Sequence, residues 1–288
     1  MDLGVNTAGL LSWRAAEQDV FAAVSRVAAH PHFAMAARAL ARNMLDLASE
    51  DRALDTIFKD AGRYFATMWS FALHEEGGLT LPRLKAVCAR SGLLSPGRAG
   101  ALLRLLEHYG YLQRRPGLRG AAAYAPTPVF LAAWDRQFIA ALAAAEILEP
   151  QVGALLADPA ARRAYGRIHA DGMLGAMPAE PQVSGFLKVF LHPYAGSQIV
   201  WVLVASEADP AFPPARAGPI SVAGLARRCG AARSQVARIF AEAEQAGLAH
   251  IDPEGMVVFG PQAREELGFF CAIQLVQILA AAARAVDP

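Results

Sequence analysis

The feature that most constrains this chain is an internal repeat in the order of its elements. Leu79-Thr80-Leu81-Pro82-Arg83-Leu84 opens one block and Ile220-Ser221-Val222-Ala223-Gly224-Leu225 opens a second. Each is apolar, hydroxyl, apolar, and each leads into a short helix. A turn follows, at Ser91-Gly92-Leu93-Leu94-Ser95 in the first block and at Cys229-Gly230-Ala231-Ala232 in the second. A second amphipathic helix comes next, with Leu102, Leu103 and Leu106 on its apolar face in one block and Val236, Ile239 and Phe240 in the other. Both helices stop at a glycine before an apolar residue, Gly110-Tyr111 and Gly247-Leu248. Short hairpins then run from Leu112 to Pro126 and from Ala249 to Pro261, the latter turning at Asp252-Pro253-Glu254-Gly255. Each hairpin ends in a proline before a long apolar helix, and an aromatic-rich helix precedes each block, with Trp69 in one and Trp201 in the other.

Around this repeat the pattern is helical. Residues 14–50 read as helices broken at His30-Pro31-His32, and one helix spans Asp55 to His74 before Gly77-Gly78. Pro128 opens a helix to about Leu148, helical segments continue from Gln151 to Ala170, and an apolar helix covers Phe186 to Ser206. Residues 171–182 and 208–218 read as connectors because of their glycines and prolines. The expected domains are therefore 1–52 (N-terminal helices), 53–150 (first half) and 151–288 (second half). Hydrophobic residues form 55% of the 288 and charged residues 18%, a balance that favours a packed core over disorder. The apolar stretch from Leu267 to Val286 is interrupted by Gln274, Gln277 and Arg284, so it reads as a buried helix, with no membrane partner. Cys88, Cys229 and Cys271 share no metal spacing and fit reduced thiols in a cytoplasmic protein. His30 and His32 flank a helix break; the chain is expected to hold no metal and no cofactor. No phosphate loop, dinucleotide fingerprint or nucleophile elbow is present, which argues against an enzyme.

The chemistry of the blocks points to nucleic acid. Thr80 and Ser221 are placed to cap the first helix of each block, and the tight turn lets the second helix project. The start of such a helix can enter a major groove, where arginine, glutamine and serine read base edges. Block one offers Ser95, Arg98 and Arg104 there, and block two Arg233, Ser234, Gln235 and Arg238. From Leu79 to Gly120 eight cations face only Glu107, and the hairpin tip bearing Arg114, Arg115 and Arg119 suits a phosphate backbone. From Gly218 to Gly260 four arginines are balanced by Glu242, Glu244, Asp252 and Glu254, and the tip itself is acidic. Block one is thus the stronger expected reader. Tyr64, Phe65, Trp69, Trp134, Phe138, Phe190, Tyr194 and Trp201 are candidates either for core or for the lining of an effector pocket.

This arrangement resembles the winged-helix regulators, in particular a MarR-like dimer fused into one chain. The resemblance implies a mainly α fold with two winged helix-turn-helix units carrying small β-hairpin wings. Long helices, 128–148 and 262–286 among them, would join the units into a pseudo-dimer. It also implies a transcription regulator of double-stranded DNA that reads two neighbouring major grooves about one turn apart, as a monomeric pseudo-dimer or a homodimer. A pocket for a small-molecule effector would lie between body and reader. The chain departs from MarR-like proteins in lacking their acidic-arginine wing tip. Two other readings fit the same pattern: a replication initiator with tandem winged helices, and a winged-helix protein-interaction scaffold.

Overall fold

The computed structural model describes residues 8–14, 19–115, 123–175 and 184–286. The fold is mainly helical with two small antiparallel sheets. In chain order it runs α1 (Ala8–Leu11), α2 (Val20–Ala28), α3 (Phe33–Glu50), α4 (Arg52–Ile57), α5 (Ala61–Glu75), β1 (Leu79–Thr80), α6 (Leu81–Ser91) and α7 (Pro96–His108). Next come β2 (Leu112–Arg115), β3 (Ala123–Pro126), α8 (Pro128–Glu146), a 3-10 turn over Pro150–Val152, α9 (Gly153–Ala157) and α10 (Pro159–Gly175). A π-helical turn over Leu187–Leu191 then leads to α11 (Gly196–Val204), β4 (Arg216–Ala217), α12 (Val222–Arg228), α13 (Arg233–Gln245), β5 (Ala249–Ile251), β6 (Val257–Phe259) and α14 (Pro261–Val286).

The repeat read from the sequence is present in the hydrogen bonding. Thr80 Oγ1 accepts from the Arg83 amide and Ser221 Oγ from the Gly224 amide, so the same hydroxyl starts both first helices. At the ends of α7 and α13, Gly110 and Gly247 take φ of 71° and 68°, a conformation that favours glycine. There the Tyr111 amide donates to Leu106 and the Leu248 amide to Ala243, each at 2.8 Å, the bond that closes a Schellman motif. The strand orders also match, β1-β3-β2 in one sheet and β4-β6-β5 in the other. The two-residue strands β1 and β4 were not expected, because a two-residue run carries no alternation.

Three helical expectations need correction. The helix expected from Asp55 to His74 is two helices. Asp60 is extended (φ −144°, ψ 153°) and caps α5 by accepting from the Arg63 amide, while Lys59 turns inward. The connector expected at 171–182 is helical as far as Gly175, with Ala170 and Met173 buried, and the rest of it lies outside the described residues. Packing on α14 outweighs the low helix propensity of Asp171-Gly172. The helix expected from Phe186 to Ser206 is broken between Leu191 and Gly196, where Ala195 is left-handed at φ 68°. Gly196 permits the break, because the Phe190 carbonyl lies 1.7 Å from where a Cβ would stand.

An aromatic column ties the first unit to the helical body. From Tyr111 it passes through Phe130, Trp134 and Phe138 of α8 to Tyr165 and His169 of α10, with successive ring centroids 5.3–6.3 Å apart. Residues at i and i+4 on α8 supply its middle. α8 packs on α3, while α14 packs on α10 and α2 and touches α8. α14 is long and apolar enough to cross a membrane; 56% of its apolar window is buried inside the protein, Ile278 through Ala283 on every side.

Lys59 joins the two halves. Only 2% exposed, it donates to Asp55 Oδ1 at 2.7 Å, Gln198 Oε1 of α11 at 2.8 Å and the Cys229 carbonyl at 2.6 Å. Gln198 Nε2 donates in turn to Asp55 Oδ1, so the ammonium has three acceptors and the acceptors brace one another. The last of the three lies in the turn between α12 and α13.

Lys59→Met is expected to lower unfolding free energy by about 3 kcal/mol, the lower end for breaking a buried ion pair, because Asp55 keeps contact with water. Urea denaturation measures this, and an unchanged midpoint contradicts the role. A second expectation concerns His169, whose pKa burial pushes from 6.5 to about 4. Folding favours its neutral form, so its contribution is intact above pH 6.5 and lost as pH falls toward 4. That loss is on the order of 3 kcal/mol, and His169→Asn should show a shallower acid decline in denaturation midpoints.

Candidate nucleic-acid interface

The candidate interface starts from α7. Ser95 caps it, its Oγ accepting from the Arg98 amide at 3.3 Å, so its hydroxyl has a structural use. Gly97, Ala101, Arg104 and His108 form one exposed stripe along the helix. Small residues at its start let the backbone approach a partner closely, and Arg104 stands behind them with no partner among the described residues.

The other expected cations divide by what they already hold. Arg98 Nη2 donates to Asp60 Oδ2 at 3.2 Å. Asp60 is 1% exposed and is also paired with Arg63 at 3.4 Å. Burial raises the Asp60 pKa, while the Arg63 amide, the Arg98 and Arg63 guanidiniums and His192 act against that rise. Pulling Arg98 away would leave a buried carboxylate under-compensated, so Arg98 is held in place. Arg114 pairs with Glu107 at 2.9 Å and lies 5.9 Å over the Tyr124 ring. Both partners there are exposed enough that such a pair is worth about 0–1 kcal/mol, and a phosphate can displace it. Arg115 is exposed and has no partner among the described residues. Arg119, expected at the hairpin tip, lies outside the described residues.

In the second unit, Arg233 and Ser234 are exposed at the start of α13. Gln235 is engaged: its Nε2 donates to the Tyr194 carbonyl at 3.3 Å and its Oε1 accepts from Arg238 at 2.9 Å. Arg238 also pairs with Glu242 at 3.1 Å. Tyr194 lies under Arg63, 5.2 Å from the ring centroid, so α13 reaches the same Asp60 cluster that holds Arg98.

The structure adds cations that the sequence reading left out of the site. Lys85 and Arg90 on α6, and Arg227 and Arg228 on α12, have no partner among the described residues. Arg216 matters for the opposite reason. It donates to Asp252 and to Glu254, the latter at 2.9 Å, and so closes the acidic second hairpin tip on itself. Arg216 lay in an expected connector, and only the β4–β6 pairing brings it to the tip.

No protein-family model matches the chain, and comparison with curated proteins and with solved structures returns no match.

Asp60 can be tested by separating its cap from its charge. Asp60→Asn keeps a capping oxygen, whereas Asp60→Ala loses both functions and should cost about 1–2 kcal/mol more in chemical denaturation. Equal costs for the two variants would show that the cap contributes nothing.

Proposed function

We propose that this chain binds double-stranded DNA as a transcription regulator built on two winged-helix units. The observation that carries the reading is the set of uncommitted cations on the first unit. Lys85, Arg90, Arg104 and Arg115 sit on a helix–turn–helix and its hairpin with no acid partner among the described residues, although the chain as a whole is nearly neutral at net +1. Surface cations are readily paired at little cost, and three arginines and a lysine left unpaired on one unit suit a polyanion. The matched strand orders and matched helix caps support the winged-helix reading of both units.

In this reading α7 enters the major groove with Gly97 and Ala101 foremost and Arg104 reaching base edges or phosphate. Arg115 and a displaceable Arg114 follow the backbone from the hairpin. The second unit contributes Arg227, Arg228 and Arg233, while its hairpin tip, closed by Arg216, stays off the phosphates. Arg98 positions α7 through Asp60 and contributes less directly. Because Lys59 and Asp60 hold both units to one loop, the spacing between the two DNA contacts is fixed.

The test is fluorescence anisotropy on duplex DNA across a salt series. Arg104→Ala with Arg115→Ala should weaken binding and reduce the slope of log K against log salt by roughly 0.9 per lost phosphate contact. Arg238→Ala should change it little. An unchanged slope in the double variant would overturn the proposed interface.

A further inference from the structure

A partly open cavity of about 680 Å³ lies between α3, α5, α8, α10, α11 and α14. Its size falls within the roughly 300–1,000 Å³ of small-molecule sites. Phe58, Tyr64, Phe65, Phe186, Trp201 and Phe270 give it aromatic walls. Tyr64, Phe65 and Trp201 were candidates for such a lining, whereas Trp69, Trp134, Phe138 and Phe190 are packed core.

Of the polar side chains in that lining, three carry a buried acceptor without a partner. Gln137, 2% exposed, gives its Nε2 to the Tyr64 hydroxyl at 3.1 Å and leaves Oε1 without a partner. His169, 4% exposed, is engaged by the Gln277 backbone and leaves Nδ1 without one. Gln277 Oε1 is also buried and unpaired. Buried acceptors are rarely left unmade, so three of them around one cavity point to a missing donor. The acid side is represented by Glu265 and Glu266, and no lysine or arginine lines the cavity among the described residues. An anion would find no counter-charge there.

We propose that this cavity binds a neutral, largely aromatic small molecule that carries at least one N–H or O–H donor. The donor meets Gln137 Oε1, with His169 Nδ1 and Gln277 Oε1 as the neighbouring acceptors, and the rings stack among Tyr64, Phe65 and Trp201. Ser91 and Leu93, at the turn between α6 and α7, form part of the wall, so an occupant touches the base of the first unit. The inference does not depend on DNA binding.

The experiment uses the full chain and N-phenyl-1-naphthylamine, a neutral aromatic amine whose fluorescence rises in apolar surroundings. Saturable binding at one site per chain is expected. 1-Benzylnaphthalene, which replaces the N–H by a methylene, should compete about tenfold less well, the worth of one buried hydrogen bond. Gln137→Leu should erase that preference, and Ala141→Trp should abolish binding by filling the space. Circular dichroism checks each variant, and Ile273→Trp fills the cavity from its less buried side if Ala141→Trp does not fold. Absence of saturable binding, binding unaffected by the filling variants, or an unchanged preference in Gln137→Leu would each overturn the proposal. DNA affinity enters none of these readouts, so a failure here is distinct from a failure of the DNA reading.

Discussion

A buried ammonium sets the geometry of this molecule. Lys59 has no water to solvate it, so its three protons must find acceptors within the protein. It finds them on α4, on α11 and in the turn that precedes α13. Satisfying one side chain therefore fixes the second unit against the first. Asp60, next in the chain, does the same for α7 through Arg98. Two adjacent residues thus hold both projecting helices, and their charges are of opposite sign. A buried ion pair adds little net stability relative to an apolar replacement, but breaking it is costly, so it specifies arrangement more than it adds strength.

The same distinction between committed and free charge organises the surface. Net charge near zero conceals an unequal distribution of commitments. Arg98 and Arg216 are held by acids of their own chain, and Arg114 and Arg238 are held weakly. Lys85, Arg90, Arg104 and Arg115 have no acid partner among the described residues. The first unit therefore keeps four uncommitted cations, while the second keeps them only on α12 and the start of α13. The aromatic column from Tyr111 to His169 ends beside the cavity, so the first unit, the body and the cavity share one packed path.

Local chemistry was legible in the sequence; long-range chemistry was not. Thr80, Ser221, Gly110 and Gly247 act through neighbours a few residues away, so their caps and the repeat they punctuate could be read directly. Block one as the more basic unit was legible for the same reason, since composition alone reveals it. Lys59 was missed because a lysine in a helical pattern reads as solvated, and its partners Gln198 and Cys229 are 139 and 170 residues distant. That single inward turn also explains why one expected helix is two. Gln235 read as free because its partner Tyr194, 41 residues away, reaches it only in the fold, whereas the Arg238–Glu242 pair is a local i,i+4 contact on one helix. Arg216 escaped attention because a two-residue strand has no pattern. Periodicity separates apolar from polar positions, but it cannot say that Tyr64 and Trp201 face a space while Trp69 and Trp134 face other side chains.

The central claim is that two units, held at fixed separation by the Lys59 and Asp60 contacts, read duplex DNA. Binding-site selection from a random duplex pool tests it most directly. The account predicts enrichment of one motif with a strong element for the first unit and a weaker element at a single constant spacing. A pool that shows no enrichment, or two elements at variable spacing, would contradict it.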